Sequence, residues 1–294
     1  MRPARSDLER MTAMSRIAIV TDSSSGLSAE LIAQHNLRVL PYYILAGGRM
    51  LRDGIQISRE EVFRLLRDGR RLPTTKAPAQ EDFAALFRSL LGKVDAALVV
   101  LPSRERTAAY QHADSARQRL PDLPIALIDS RHTSAGQALV VLAAAQARAA
   151  DGDLDTVIAA AQQAADRMEF WIVLESLKFA ARSGRVPNLA QYAGSIVNPV
   201  PVLRHEHGAP HIAFTARSAE QAIERLKAEL AGRVRGPRAH VAIAHAGDRA
   251  QAEAIHAWAQ ATWSPIEAHV LEIPPIIAVY SGPGAIGLAV YAEG

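Results

Sequence analysis

Three short apolar runs, at residues 17–21, 96–101 and 125–128, lead into serines at Ser23, Ser103 and Ser130, and each is followed by a helical pattern. Strands that alternate with helices in this way are carried back to the same edge by each crossover, so they pair in parallel and the helices cover the faces. The first half of the chain therefore reads as a Rossmann-like α/β unit. Open parallel sheets bind ligands at the carboxyl ends of their strands, and the three serines mark that edge. A serine at a strand end is also a frequent helix cap, and this reading stays open for Ser23 and Ser130.

Local signals fill in the rest of this half. Ser28 caps a helix with Glu30 in its first turn, and residues 38–45 read as a strand followed by an Asp53-Gly54 turn. Ser58 and Glu61 have capping-box spacing, and Gly69 stops the helix they begin. Residues 72–78 read as a loop, with helices expected near 81–91, 107–120 and 134–150. The longest apolar run, residues 138–145, is too short to span a bilayer, so no membrane crossing is expected.

The pattern changes after Asp151-Gly152-Asp153. Helices are expected at 154–165, 219–230 and 249–262, and strands at 170–173, 212–215, 240–244, 268–272, 276–280 and 288–291. Residues 196–203 are apolar but interrupted by Pro199 and Pro201, which suits an edge or irregular strand. Strands that follow one another without helices imply a mixed sheet. The expected division is a disordered leader over 1–15, a Rossmann-like domain over 16–152 and a mixed-sheet α/β domain over 153–294.

Composition narrows the function classes. A net charge of +3 with no basic run interleaved with aromatics argues against nucleic acid as the main partner. The absence of cysteine excludes a thiolate nucleophile and a cysteine-based zinc site, and is compatible with the cytoplasm, the expected location. Gly282-Pro283-Gly284-Ala285-Ile286-Gly287 matches G-x-G-x-x-G, but only seven residues follow it, so close backbone approach is the better explanation than a dinucleotide site. His205, His207 and His211 flank a turn and read as an exposed hairpin tip rather than a metal site. Asp129, Ser130 and His132 are too close in sequence to face one another as a triad, and no G-x-S-x-G elbow is present. A serine hydrolase or transferase using Ser103 or Ser130, and a binder of another small anion, remain as alternatives.

The stretch 174–187 holds a short helix closed by Gly184 and followed by Arg185. Arg185 either offsets the helix dipole or faces a bound anion. With neutral hydroxyls and this cation, but no evident acid/base pair, the residues favour binding of an anionic head group over catalysis, and no cofactor is expected.

Eight motifs in order resemble the DegV family. Thr21-Asp22-Ser23, Asp53-Gly54 with Ile57-Ser58, and Thr75 to Pro78 with Phe83 are similar to its first three. Ser103 through Thr107 to Tyr110-Gln111, Asp129-Ser130 with Gly136, and Leu177 to Gly184-Arg185 continue the series. Asn198 with Pro201-Val202-Leu203 and Arg217, and Gly282-Pro283-Gly284, complete it. The resemblance implies two α/β domains with a long-chain fatty acid in a tunnel between them. It also implies, for some members, delivery of that acid to a partner fatty acid kinase. Carried over by position, Thr75, Ser103, Thr107, Arg185, Tyr280 and Ser281 surround the carboxylate. This chain departs at Lys76, at Arg106-Thr107-Ala108-Ala109, and at Tyr280, where the family has serine, L-S-G-T and histidine.

Overall fold

The computed structural model describes residues 16–70, 72–183 and 199–294. Its first layer is a parallel sheet of β1 (Ile17–Asp22), β2 (Arg38–Leu40), β6 (Ala96–Leu101) and β7 (Ile125–Asp129), ordered β2-β1-β6-β7. Every residue of β1 and β6 is buried, as both faces of a parallel sheet must be. The chain first steps from β1 to one side and then returns to the other, so the strand order reverses between β1 and β6. Their carboxyl ends open the crevice where a ligand fits.

The expected strand at 38–45 is broken after Leu40. Pro41 supplies no amide proton, and the chain resumes as β3 (Tyr43–Ala46), which turns at Gly47-Gly48 into β4 (Arg49–Arg52). The expected loop at 72–78 contains β5 (Thr74–Lys76), which completes a small antiparallel sheet beside β3. Three polar residues carry no alternation to betray a strand; only the pairing makes one. Helices α1 (Ala29–Gln34), α2 (Arg59–Asp68), α3 (Gln80–Leu90) and α4 (Ala109–Arg117) complete this part. Ser28 caps α1, and Ser58 and Glu61 form the capping box of α2, which ends at left-handed Gly69.

Helix α5 (Ser134–Ala149) sits between two sheets. Residues 134–145 are all buried, and the helix packs on β1 and β6 of one sheet and on β8 (Glu169–Val173), β11 (Ala239–His245) and β13 (Ile286–Ala292) of the other. A helix apolar on all sides belongs in an interior, and its alanines let both layers approach. The second sheet adds β9 (Val200–Glu206), β10 (Ala209–Ala216) and β12 (Glu267–Glu272), in the order β10-β9-β8-β13-β11-β12. Only β11 and β12 are parallel, so the sheet is mixed. Of the two expected alternatives the edge strand fails, because β9 lies inside the sheet, and the irregular one holds, because its register with β10 shifts between Ile212 and Phe214. Pro201 lies just beyond its pairing with β8, where its carbonyl still accepts from Leu174 N at 3.0 Å.

Helix α6 (Leu154–Arg167) packs on α5, and α7 (Leu177–Ser183) leads out of β8. Helices α8 (Ala219–Arg233) and α9 (Arg249–Trp263) cover the far face of the mixed sheet over a second apolar cluster. The main core is continuous, joining Ile19 and Leu98 to Leu139, Phe170 and Ala289.

One correction bears directly on the site. Residues 276–280 are helical, within α10 (Pro275–Ser281), rather than a strand. A short apolar run fits either state, and here the prolines decide. Pro275 occupies the first turn, where its missing amide costs nothing. The Ile276 amide is capped from far away in sequence, donating to Asp53 Oδ1 at 2.9 Å.

Candidate functional site

A cavity of about 410 Å³ opens at the carboxyl ends of β1 and β6. Its size is in the range of small-ligand pockets. Ile172, Leu174 and Leu203 from the β8–β9 side and Ile276 and Ile277 from α10 make its apolar wall. Five expected site residues line it: Thr75 from β5, Ser103 and Thr107 after β6, and Tyr280 and Ser281 from α10. The sixth, Arg185, lies outside the described residues, as do Gly184, Asn198 and the leader 1–15.

The hydroxyls are held in pairs. Thr75 Oγ1 and Tyr280 OH hydrogen-bond to each other across the cavity wall. Thr107 Oγ1 meets Tyr42 OH at 2.7 Å, and Ser281 Oγ donates to the Gly282 carbonyl at 3.3 Å. Ser103 Oγ is buried and has no hydrogen-bond partner. Among the described lining residues there are two cations, the exposed Lys76 and the half-buried Arg106, and no aspartate or glutamate.

Sequence reasoning missed Tyr42, His112 and His205 as cavity residues, whereas Arg106 lies in the Ser103–Thr107 turn that the motif resemblance had placed at the site. No local pattern marks those three, because tertiary packing brings them in. His205 corrects the exposed-tip expectation. The turn itself falls at His207-Gly208, both with positive φ, and His207 is exposed. His205 points inward, with its ring 4.8 Å from Phe170 and 5.8 Å from His132. Burial pushes its imidazole down to about 4, helped by the nearby Arg106 charge and opposed by a hydrogen bond to the Arg131 backbone. Burial likewise pushes His132 down to about 3, with His205 adding to the effect. Both rings are therefore neutral at physiological pH.

Two buried carboxyls stand behind the cavity. Ser24, on the wall, bonds Asp22 Oδ1 and donates to Gln137 Oε1 at 2.8 Å, while Gln137 Nε2 donates to Thr21 Oγ1 at 3.1 Å. Burial pushes Asp22 up to about 6 against its hydrogen bonds from Ser24 and Gln137. Asp53 is pushed up to about 7, again by burial, opposed by the Ser23 hydroxyl and the Ile276 amide. Asp53 thus joins the N-terminal turn to the helix that carries Tyr280.

The remaining candidates separate clearly. Ser23 Oγ accepts from Tyr42 N at 3.0 Å rather than capping a helix. Ser130 Oγ bonds only the backbone of His132, at 3.1 and 3.2 Å, so no imidazole is set to activate it. Gly282 and Gly284 have φ of 72° and 73°, and a Cβ on Gly282 would lie 2.2 Å from the Phe179 ring. Gly282 lets α7 dock against the end of α10, and Gly284 makes room for Glu175 just ahead of α7. Among the described residues, no group of three or more potential ligands is placed to hold a metal ion. No helix among them is long and apolar enough to cross a membrane.

Comparison with known proteins agrees with this geometry. Residues 16–293 match the model of a family described as uncharacterised protein, DegV family. A DegV domain-containing protein of Streptomyces coelicolor is 30% identical over 281 residues, covering 94% of this chain and 99% of that protein. One from Caldanaerobacter subterraneus is 31% identical over 210 residues, covering 71% of this chain and 75% of the other. The structure of a DegV family protein from Thermus thermophilus, described for its fatty acid binding, superposes with a TM-score of 0.88 at 28% identity, covering 95% of this chain and 100% of that one. DegV from Bacillus subtilis, a fatty acid binding protein, shares the fold at a TM-score of 0.84 and 21% identity, with the same coverage. Fold, motif order and sequence identity converge: this chain belongs to the DegV family.

Proposed function

We propose that the protein binds a long-chain fatty acid in the cavity between its parallel and mixed sheets and performs no catalytic step of its own. The observation that carries this reading is the lining, which among the described residues has an apolar wall, several hydroxyls, two cations and no carboxylate. An anionic head on an apolar tail matches that surface, and the fatty acid binding described for the Thermus thermophilus relative supports it.

In this reading Thr75, Thr107, Tyr280 and Ser281 receive the carboxylate, Arg185 adds a cation, and Ser103 contributes a further hydroxyl to the wall. The tail runs along Ile172, Leu203 and Ile276. Each buried methylene contributes about 0.8 kcal/mol, so a dozen give roughly 10 kcal/mol before ordering costs. A hydrogen bond to a charged carboxylate adds about 1.5–3 kcal/mol. The tail sets affinity and the head sets register. A head group beside the exposed Lys76 is within reach of a partner, and presentation to an acyl kinase in the cytoplasm is the role we assign. No cofactor is needed for it.

Titration of lipid-free protein with saturated fatty acids of increasing length tests the reading. Affinity should rise about fourfold per added methylene until the cavity is filled. A flat dependence on chain length, or tight binding of short polar anions, refutes it.

A further inference from the structure

Ser103 and His205 both line the cavity, and Ser103 Oγ and His205 Nδ1 are buried with no hydrogen-bond partner among the described residues. Ser103 is 1% exposed. The two residues meet at the β9–β10 hairpin. A Cβ on Gly208, at its tip, would lie 2.6 Å from Ser103 Oγ, and His205 stands on the same hairpin opposite Pro210. Burial keeps the His205 imidazole neutral, and its hydrogen bond to the Arg131 backbone falls to the other ring nitrogen, Nε2. A neutral ring that donates from Nε2 offers a lone pair and no proton at Nδ1.

A serine hydroxyl can give a hydrogen bond, whereas this imidazole nitrogen can only accept one. A carboxylate takes the serine proton but has none for His205. An alkyl chain serves neither and leaves both buried and unpaired, which weakens binding. A hydroxyl serves both, accepting from Ser103 and donating to His205. The niche also lies close to the head-group site: Ser103 and Thr107 share one turn, closed by the Arg106 amide donating to the Ser103 carbonyl at 3.0 Å. We propose that Ser103 and His205 form a hydroxyl-recognising niche beside the carboxylate site, and that the preferred ligand is a long-chain acid hydroxylated near its carboxyl group. This assignment rests on the fatty-acid reading and names the class of acyl chain that the site selects.

The test measures the affinity of lipid-free protein for palmitic acid and for its α-, β- and ω-hydroxy derivatives. The wild type should bind the α- or β-hydroxy acid about five- to fiftyfold more tightly than palmitic acid, the range of two neutral hydrogen bonds. The ω-hydroxy acid should gain nothing. The methyl ether of the preferred isomer accepts from Ser103 but has no proton for His205, and should lose most of the gain. Ser103→Ala and His205→Phe should each bring the ratio of hydroxy to plain acid toward one, and His205→Gln, which still accepts, should keep part of it. Thermal unfolding of the ligand-free variants separates loss of recognition from loss of fold, and the comparison of alcohol with ether needs no variant. Equal affinity for palmitic acid and all its hydroxy derivatives, as when a water fills the niche, overturns the assignment. So does an equal gain from the ω-hydroxyl, an ether that binds as tightly as the alcohol, or an unchanged ratio in the folded variants. Failure of the wild type to bind any of these acids instead overturns the fatty-acid reading beneath it.

Discussion

Replacing Asp53 by asparagine should stabilise the protein at alkaline pH and leave it unchanged in acid. Asp53 Oδ1 accepts the Ile276 amide at the start of α10, and the carboxyl is buried beside the Ser23 hydroxyl. Burial raises its midpoint from the ordinary 3.8 to about 7. The folded protein then holds a proton that the unfolded chain has released, so stability falls as pH rises between about 4 and 7 and levels off above. At ~1.4 kcal/mol per pH unit, full ionisation costs the fold about 4 kcal/mol. Asparagine keeps the acceptor for Ile276 and cannot ionise. Urea unfolding of wild type and Asp53→Asn should give matching stabilities near pH ~4. By pH ~8 the variant should lead, by up to about 4 kcal/mol. Asp22, raised to about 6 by burial, keeps part of the same slope in both proteins, so the difference between them is the quantity to read. Asp53→Ala, which also cannot ionise but strands the Ile276 amide, should lie about 1–3 kcal/mol below Asp53→Asn at every pH. A constant gap between wild type and Asp53→Asn across this range would refute the reasoning.

Two further substitutions probe the supports of the cavity. Gly282→Ala places a methyl against Phe179 at a φ of 72° and should cost about 2–4 kcal/mol by unseating α7 from α10; a melting temperature unchanged from wild type would show that this contact is not needed. Gln137→Leu removes the partner shared by Thr21, Asp22 and Ser24 in the interior, leaving them only their bonds to Val100 and to each other, and should cost about 1–3 kcal/mol. A loss below about 1 kcal/mol in urea unfolding would show that the network is dispensable.

What the sequence revealed was what local chemistry decides. The Ser58–Glu61 capping box, the Ser28 cap and the Gly69 stop depend on a few neighbouring residues, and all three are present in the fold. The parallel strands were legible because β1 and β6 are continuous apolar runs, and α5 because it is alanine-rich along its length. Helix α10 was not legible, because its apolar run suits a strand and its cap comes from Asp53, more than two hundred residues earlier. Strand β5 likewise exists through its partner β3. The motif order pointed to five hydroxyl-bearing residues that the fold brings to one cavity. Tyr42 and His205 were invisible because their place on the wall depends on how strands and turns from different sheets meet.

The most direct measurement of the central claim is to identify the cargo of the purified protein. Denaturing solvent extraction followed by mass spectrometry should recover about one long-chain fatty acid per chain, free and without a phosphate or ester. Recovery of a polar metabolite, or an empty cavity that also fails to bind added fatty acid, would contradict the account.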